Sequence, residues 1–334
     1  MRALEVREPF GVDSLAFVTR PDPTPGPREI VVQLRALSLN YRDRLVIDGV
    51  NRWRSSGPRV PVSDGVGTVV ATGSAVARFR VGDRVAPTFY PRWIEGRPTP
   101  EKMEGSLGGA AADGLYAECV AVNEEAAIAV PTHLSDEEAA TLPCAALTAW
   151  NAVDGTAVGE GATAVVLGTG GVSLFALQFA KLRGARVIIT SSSDAKLARA
   201  RELGADGGIN YRATPDWPRA LRELTGGRGA DLVVDTVGSL GDAIEAVRVG
   251  GTIAFIGLLR GMRADVDLVK LMGSSATIRA IDVGSRAMFE SMNRAIESAG
   301  LRPVIDRTFA FDEARDAFSY LGEGAHFGKI CIRV

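Results

Sequence analysis

The chain has 334 residues, of which 46% are apolar and 23% charged, as in an ordinary globular protein, and its length predicts two domains. A formal net charge of −2 argues against a nucleic-acid partner held by bulk positive charge. No apolar run approaches the roughly 18 residues of a membrane helix and no signal-peptide pattern opens the sequence, so we expect a cytoplasmic protein without a membrane partner.

The first part of the chain is predicted to be rich in β-strands. Glu29–Leu37 is apolar and β-branched, and Gly65–Gly73 is a strand between glycines. Val81–Val85 predicts a turn followed by another strand. Tyr90–Gly114, rich in Gly, Pro and charge, has no clean period, and its length suggests a loop lobe with a functional surface.

Strands and helices alternate after Leu134, beginning with a helix whose cap is Ser135 and whose third residue is Glu138. Two further helices are predicted at Val172–Arg183 and Asp194–Leu203, each closed by glycine. The predicted strands are Thr163–Leu167, Arg186–Thr190, Gly208–Asn210, Leu232–Asp235, Thr252–Ile256 and Thr277–Ile281. Short apolar strands alternating with helices predict a doubly wound α/β fold with a parallel sheet.

The C-terminal fifty residues predict three elements. These are a helix at Ser285–Ser298, a second helix near Asp312–Leu321, and a last strand at Lys329–Val334.

A glycine-rich turn lies between the first predicted strand of this sheet and the helix that follows. Gly168 suits a tight turn, and Gly170 lets a pyrophosphate approach the backbone at the helix N-terminus, where Gly171 leads into the helix that is predicted to begin at Val172. The third small position of the G-x-G-x-x-G pattern is Ser173. The strand–turn–helix context favours a dinucleotide site over a merely structural turn.

The residues at the end of the next predicted strand indicate which dinucleotide the site binds. NAD enzymes usually place a carboxylate there, whereas this chain has Ser191, Ser192 and Ser193, with Lys196 beyond them and Tyr211 after the third strand. Hydroxyls and an ammonium suit the 2′-phosphate of NADP(H). The alternative is that Ser193 only caps the helix and that the cofactor is NAD(H), which the adjacent carboxylate of residue 194 would suit.

With these motifs, the sequence resembles the medium-chain dehydrogenase/reductase superfamily over essentially its whole length. The supporting segments are residues 38–43 (SLNYRD), 60–67 (VPVSDGVG), 81–85 (VGDRV), 140–150 (ATLPCAALTAW), 168–173 and 326–330 (HFGKI). The resemblance implies a Rossmann cofactor domain at residues 126–282 and a β-rich, GroES-like catalytic domain formed by residues 1–125 and 283–334.

Alcohol dehydrogenases of that superfamily hold a catalytic zinc through Cys, His and Cys. The resemblance puts Asn40, Ser63 and Cys144 at those positions, and one thiolate cannot replace three strong ligands. The loop that would hold a structural zinc falls within Tyr90–Gly114, which contains no cysteine. The resemblance therefore points to the zinc-independent, quinone-reductase-like branch, and we expect no bound metal.

The same resemblance implies site residues. Asn40 would lie near the nicotinamide, and Tyr41 and Asp43 would border the substrate cleft, with Tyr41 as a candidate proton donor. A structural role for Asp43 in a turn or salt bridge stays open. The cofactor-binding positions implied by the resemblance and the motifs are Thr148, Gly168, Gly170, Gly171, Val172, Ser191, Ser192, Ser193, Lys196, Tyr211, Gly257, Val283 and Lys329.

These observations predict transfer of hydride from NADPH to a small-molecule acceptor, a quinone or an α,β-unsaturated carbonyl. Two alternatives remain: a metal-free alcohol or aldehyde dehydrogenase, and a non-catalytic protein that binds NADPH. Thr277–Ile281 should form an edge strand of the cofactor sheet, and relatives pair such edges, so we expect a homodimer.

Overall fold

The computed structural model describes residues 1–334. The strands, in chain order, are β1 (Arg2–Glu5), β2 (Ala16–Thr19), β3 (Glu29–Leu39), β4 (Asp64–Thr72), β5 (Arg84–Pro87), β6 (Cys119–Asn123), β7 (Ala127–Ala129), β8 (Thr163–Val166), β9 (Arg186–Ser191), β10 (Gly207–Asn210), β11 (Ala230–Asp235), β12 (Val247–Phe255), β13 (Thr277–Ala280), β14 (Ile305–Ala310) and β15 (Lys329–Arg333).

The α-helices are α1 (Tyr41–Ile47), α2 (Pro100–Met103), α3 (Asp136–Ala140), α4 (Leu147–Asp154), α5 (Gly171–Leu182), α6 (Asp194–Glu202), α7 (Trp217–Leu224), α8 (Leu240–Ala246), α9 (Leu268–Ser274), α10 (Arg286–Ala299) and α11 (Ala314–Glu323). A π-helical turn, Leu142–Ala146, precedes α4. None of these helices combines the length and apolarity that crossing a bilayer requires.

The chain divides into two compact units. Unit 1 comprises Met1–Leu147 and Val283–Val334, and unit 2 comprises Thr148–Asp282. The second boundary coincides with the predicted one, whereas the first lies after Leu147 instead of after residue 125. The reason is that β7 pairs with β5 and α3 packs on β3 and β4, which ties residues 126–147 to unit 1.

Unit 1 is built around a mixed sheet in the order β14-β15-β3-β4-β5-β7, with β6 also paired to β3. Strand β3 is the centre of this sheet, and its apolar residues Ile30, Val32 and Leu34 are buried in the core. At its C-terminal end, Leu39 pairs with Ile330 of β15, and the preceding residue pairs with Asp64 of β4. Three distant segments of the sequence therefore meet where β3 ends.

Unit 2 contains a fully parallel sheet in the order β10-β9-β8-β11-β12-β13. Renumbered within the sheet this is 3-2-1-4-5-6, which confirms the doubly wound fold predicted from the sequence. Strand β13 lies at one edge, as predicted. Its neighbour β12 begins at Val247, earlier than expected, because an exposed stretch joins the buried part of the strand.

Several elements of the structure were not predicted from the sequence. Helix α1 has only seven residues, too few for a helical period to be visible. Helices α7, α8 and α9 are also short, and α9 exposes Leu268, Val269 and Met272 to solvent, so its pattern is not that of a helix packed on a core. Strand β14 alternates only weakly and was not predicted.

Candidate active site

A short helix begins directly after the central strand of unit 1. Asn40 is the N-cap of α1, and Asp43, the third residue of the helix, accepts a hydrogen bond from the Asn40 backbone N–H through Oδ2 at 2.8 Å. This is the acidic half of a capping box. Asp43 thus makes a local structural contact, and its position at the border of a substrate cleft stays a prediction. Tyr41 occupies the first turn and is 43% exposed.

A buried lysine reaches the same cap from the C-terminal strand. The Nζ of Lys329 donates to the backbone oxygen of Leu39 and to Oδ1 of Asn40, both at 2.6 Å. The residue is only 3% exposed. The pairing of β15 with β3 places the start of β15 beside the end of β3, which brings the ammonium to Asn40. From the sequence, Lys329 was predicted to contact the cofactor, and its pairing with Asn40 was not predicted.

The polar network continues from Asn40 to the start of β4. Asn40 Nδ2 faces Ser63 Oγ at 3.5 Å, and Ser63 Oγ donates to Oδ1 of Asp64 at 2.7 Å. The other carboxylate oxygen of Asp64 accepts the backbone N–H of Cys144 at 3.1 Å. Ser63 and Asp64 are completely buried. We call the set Asn40, Ser63, Asp64, Cys144 and Lys329 the polar network.

Burial dominates the titration of the acidic groups here. It raises the pKa of Asp43 to about 6, against a lowering by the Arg42 guanidinium and a further raising by the Asp64 carboxylate. Burial likewise raises the pKa of Asp64, while the Lys329 ammonium and hydrogen bonds lower it. Burial raises the pKa of the Cys144 thiol, so this thiol stays protonated at neutral pH.

The residues at the positions of the family's catalytic zinc do not fit that metal. Asn40 Oδ1 already accepts a bond from an ammonium group, and Ser63 donates its proton to a carboxylate. Zinc needs strong N or S ligands, and a thiol whose pKa is raised by burial is a poor one. The Lys329 ammonium would also repel a dication at this position.

The loop lobe, residues 90–114, packs against the backbone that precedes Ser63. Val62 has a left-handed conformation with φ of 75°, which is unusual for a β-branched residue. A Cβ on Gly108 would lie 2.8 Å from the Val62 backbone, and one on Gly114 would lie 2.2 Å from its oxygen. These glycines permit the close approach that positions Ser63.

The aromatic residues of the lobe anchor it to unit 1. Tyr90 and Trp93 are 7% and 3% exposed, with ring centroids 6.2 Å apart. Trp93 Nε1 donates to the Gly96 oxygen at 3.0 Å, and the Trp93 oxygen accepts the Arg286 N–H at 2.9 Å. The sequence leaves open whether Tyr90 and Trp93 line a pocket or anchor the lobe, and these contacts support the anchoring role.

In unit 2 the glycine-rich turn joins β8 to α5 in the geometry of a phosphate cradle. Gly168 has a left-handed φ of 77°, and a Cβ on Gly170, the N-cap of α5, would meet nothing within 4 Å. Gly171 and Val172 form the first turn. Ser173 is buried and its hydroxyl donates to the Leu167 oxygen at 2.9 Å, so the third small position is satisfied internally. The open space and free N–H groups fit a dinucleotide pyrophosphate.

The end of β9 brings the predicted serines together with the end of β10. Ser191 Oγ accepts the Ser193 N–H at 3.2 Å, and Ser193 Oγ, the N-cap of α6, accepts the Lys196 N–H at 3.4 Å. Tyr211 N–H donates to the Ser191 oxygen at 3.1 Å. Ser192 lies between the two serines and is half-buried. The cap that was the alternative interpretation of Ser193 is present, and both serine hydroxyls keep their own hydrogens for donation.

A second loop at the carboxyl end of the unit 2 sheet was not predicted. The buried carboxylate of Asp235, the last residue of β11, accepts three backbone N–H groups of residues 237–239 at 2.8–3.0 Å. A Cβ on Gly257 would lie 1.9 Å from the Thr236 oxygen, so only glycine fits there. The signal was available in the sequence, because Asp-Thr-Val-Gly ends an apolar strand.

Two of the predicted cofactor residues stand next to the chain positions at which one unit ends and the other begins. Thr148 is buried in α4 of unit 2. Val283 is buried in unit 1 with φ of 58°, a second β-branched residue in the left-handed region. Such strain is found most often at functional positions.

Two family profiles match the chain. The alcohol dehydrogenase GroES-like domain matches residues 26–132, and the zinc-binding dehydrogenase domain matches residues 171–298. A zinc-type alcohol dehydrogenase-like protein of Schizosaccharomyces pombe is 39% identical, covering 92% of this chain and 91% of its own. The chain belongs to the medium-chain dehydrogenase/reductase superfamily. Unit 1 therefore has the GroES-like fold and unit 2 the Rossmann fold.

Other superfamily members show how varied its chemistry is. The 2-methylene-furan-3-one reductase of Solanum lycopersicum is 32% identical over 91% of this chain and 71% of its own. The structure of a candidate alcohol dehydrogenase of Sinorhizobium meliloti superposes with a TM-score of 0.92 at 42% identity, over 100% of this chain and 99% of that one.

Solved structures of the superfamily also differ in cofactor. An NAD-dependent alcohol dehydrogenase gives a TM-score of 0.90 at 36% identity, with both chains covered completely. A mycobacterial protein complexed with NADPH gives 0.82 at 26% identity, again over both whole chains. The chain is thus an oxidoreductase of a family that uses nicotinamide cofactors.

Proposed function

We propose that this protein transfers hydride from NADPH to a quinone or an α,β-unsaturated carbonyl without a catalytic zinc. The observation that carries the proposal is the polar network, in which an amide, a hydroxyl and a protonated thiol stand at the family's zinc-ligand positions and an ammonium is bonded to the amide. Oxidation of a simple alcohol needs a group that stabilises an alkoxide, and this network offers no Lewis acid of its own.

A conjugated acceptor needs less help, because it contains its own electron sink. NADPH supplies a hydride, that is two electrons and one proton, when it is bound. As hydride reaches the conjugated carbon, the π electrons move to the carbonyl oxygen, and a proton from water completes the saturated carbonyl compound or the hydroquinone. The protein then contributes orientation, exclusion of water and hydrogen-bond donors toward the developing negative charge.

The decisive experiment compares two reactions of the same purified protein. NADPH oxidation with a naphthoquinone or an enal should be much faster than NADP⁺ reduction with short alcohols. Faster alcohol oxidation would favour the metal-free dehydrogenase. The dehydrogenase names among the relatives support alcohol oxidation, although one of those relatives is named a zinc-type protein. Tight NADPH binding with neither reaction would favour a non-catalytic protein.

Metal content gives an independent test of zinc independence. Because the polar network does not fit zinc, the purified protein should contain far less than one zinc per chain and should keep its activity in a chelator. Stoichiometric zinc that is lost together with activity on dialysis would overturn this part of the proposal.

NADPH is proposed over NADH because of the corner formed by Ser191, Ser193 and Lys196. The two hydroxyls can donate to a 2′-phosphate, while the carboxylate of Asp194 accepts the Asn210 amide at 2.9 Å, which holds it toward β10. Loss of a charge-assisted phosphate contact costs about 1.5–3 kcal/mol. Lys196→Ala should therefore weaken NADPH about tenfold or more and leave NADH almost unchanged.

The matched control is Lys181→Ala, which removes a lysine of unit 2 whose ammonium is paired with Asp206. It should leave both dissociation constants unchanged. Equal weakening of NADPH and NADH by Lys196→Ala, or tighter binding of NADH by the unaltered protein, would contradict the NADPH assignment.

We further propose a homodimer formed through the edge strand β13. The strand exposes Ile278, and the preceding helix α9 exposes Val269 and Met272, each 79% accessible. Unpaired strand edges and exposed apolar groups favour association. Light scattering at micromolar concentration should give a dimer that Met272→Glu dissociates and that Leu182→Glu, at an exposed residue of α5, does not. A monomer in the unaltered protein would refute the proposal.

A further inference from the structure

The Lys329–Asn40 contact fixes the direction of the Asn40 side-chain amide. An asparagine amide can be turned by 180° so that its oxygen and nitrogen exchange places, and its partners decide the orientation. A lysine ammonium group donates hydrogen bonds and cannot accept one. The group that lies 2.6 Å from Lys329 Nζ must therefore be the amide oxygen, which turns Nδ2 away from the lysine.

The other end of the amide is oriented by a carboxylate. Asp64 Oδ1 is an acceptor, so the hydroxyl hydrogen of Ser63, 2.7 Å away, points to Asp64 and leaves a lone pair of Ser63 for Asn40. Every donor in the chain Lys329, Asn40, Ser63, Asp64 therefore points the same way, from a cation to an anion. Hydrogen bonds aligned in this way polarise one another.

One Nδ2 hydrogen of Asn40 remains after this bond. The 3.5 Å separation from Ser63 Oγ is at the limit of a hydrogen bond. Asn40 also lowers the pKa of Asp64, whose carboxylate is bonded to Ser63, so these two linked acceptors share one amide hydrogen. Asn40 is 8% exposed, whereas Lys329 is 3% exposed and Ser63 and Asp64 are not exposed at all. Within the aligned chain, Asn40 is thus the donor that a bound molecule reaches first.

We propose that Asn40 donates its remaining Nδ2 hydrogen to the carbonyl oxygen of the acceptor, and that Lys329 is the positioning residue that orients and polarises this amide. The inference rests on the proposed function and specifies how its acceptor is activated. The amide stabilises the negative charge that the oxygen gains when hydride adds to the conjugated carbon, and it gives up no proton; the final proton comes from water. Acceptors must therefore carry a carbonyl oxygen.

Two substitutions separate the donor from its orienting partner. Asn40→Asp keeps the size of the side chain and an oxygen for Lys329 but has no amide hydrogen. The rate of hydride transfer to a naphthoquinone, measured in a single turnover, should fall by about 100-fold, in the range for loss of one such donor. Lys329→Met should lower it by about tenfold, and Lys329→Gln, whose amide can still donate to Asn40, should lie between Lys329→Met and the unaltered protein.

The dissociation constant of NADPH distinguishes this role from direct cofactor binding. We expect Asn40→Asp and Lys329→Met to change the dissociation constant of NADPH less than threefold. The rate of hydride transfer in both variants should show a full primary isotope effect when the transferred hydrogen is deuterium. The matched control is Lys102→Met, which removes a half-buried lysine of unit 1 whose ammonium donates to two backbone oxygens. It should change neither the dissociation constant of NADPH nor the rate of hydride transfer.

The double variant Asn40→Asp/Lys329→Met tests whether the lysine acts through the asparagine. It should be no slower than Asn40→Asp alone by more than about twofold, because the orienting residue has nothing left to orient. Three outcomes would overturn the inference. The rate losses of the two single variants could multiply in the double variant, or Asn40→Asp could keep an activity within threefold of the unaltered protein. Lys329→Met could also lose much NADPH affinity with unchanged hydride transfer. If the unaltered protein reduces neither quinones nor enals, the proposed function itself fails.

Discussion

Replacement of Asp43 by asparagine should stabilise the protein at neutral pH. The carboxyl group has no exposed surface, and burial raises its pKa to about 6 from the ordinary value of 3.8. This difference of about two pH units corresponds to about 3 kcal/mol between the two protonation states. Asparagine has nearly the same shape and can still accept the Asn40 N–H bond with its oxygen, but it cannot be charged.

The sign follows from proton linkage. Because the folded chain binds the proton of Asp43 more tightly than the unfolded chain, this residue lowers the free energy of unfolding as pH rises from 3.8 to about 6, and its effect is constant above that. The stability difference between Asp43→Asn and the unaltered protein should therefore be smallest near pH 4 and should grow by up to about 3 kcal/mol by pH 7.

Urea unfolding of both proteins at several pH values between 4 and 7.5 measures this difference. Asp113→Asn is a control of opposite sign, since hydrogen bonds from Arg20 and from the Val60 backbone, with nearby guanidinium charge, lower the pKa of Asp113 despite its burial. That variant should be less stable at pH 7, with a difference that shrinks as pH falls. A pH-independent difference for Asp43→Asn, or one that grows toward acid, would refute the reasoning.

Three further predictions concern packing and proton transfer. Gly257→Ala places a methyl group 1.9 Å from a backbone oxygen and should lower the free energy of unfolding, measured by thermal unfolding, by about 1–3 kcal/mol. Gly273→Ala, whose methyl group would meet nothing within 4 Å, should not lower it. Tyr116→Phe removes a buried hydroxyl that donates to a backbone oxygen at 2.8 Å, and it should lower the free energy of unfolding in urea by about 1–2 kcal/mol. Tyr320→Phe should lower it less, because the Tyr320 hydroxyl donates to a partly exposed carboxylate, that of Asp306. Tyr41→Phe should change quinone turnover less than threefold, because this residue is 43% exposed and water can supply the proton; a loss of about 100-fold would make Tyr41 the acid.

The fold of unit 2 could be predicted because its strands and helices alternate in the sequence in the pattern of a doubly wound fold. Each strand is a short apolar run that ends at glycine or a polar residue, and the helix that begins at Gly171 has a recognisable turn before it. The order of the six strands then follows from the doubly wound rule. Short helices such as α1 and α9 were missed because seven residues give no period to read.

The site could be predicted only in part, for a reason of distance along the chain. Asn40 and Ser63 were identified by what they lack, since neither can bind zinc as the family's ligands do. The contact of Asn40 with Lys329 could not be predicted, because Lys329 lies 289 residues from Asn40 and joins it only through the pairing of β15 with β3. The capping box of Asp43, in contrast, is local, and a structural role for this residue in a turn or salt bridge had been left open.

The polar network also predicts what a restored zinc site would require. Asn40→Cys with Ser63→His would supply, together with Cys144, the ligand types of the alcohol dehydrogenases, but the Lys329 ammonium would still lie where it repels the ion. The double variant should therefore bind zinc weakly. Adding Lys329→Met removes the competing charge. It also removes a cation that lowers the pKa of Cys144, but the loss of direct repulsion should outweigh this effect and tighten zinc binding by about tenfold or more, measured by competition with a chromogenic chelator at pH 7. Equal zinc affinity of the double and triple variants would show that the lysine does not oppose a cation at this position, and the electrostatic account of the network would then be wrong.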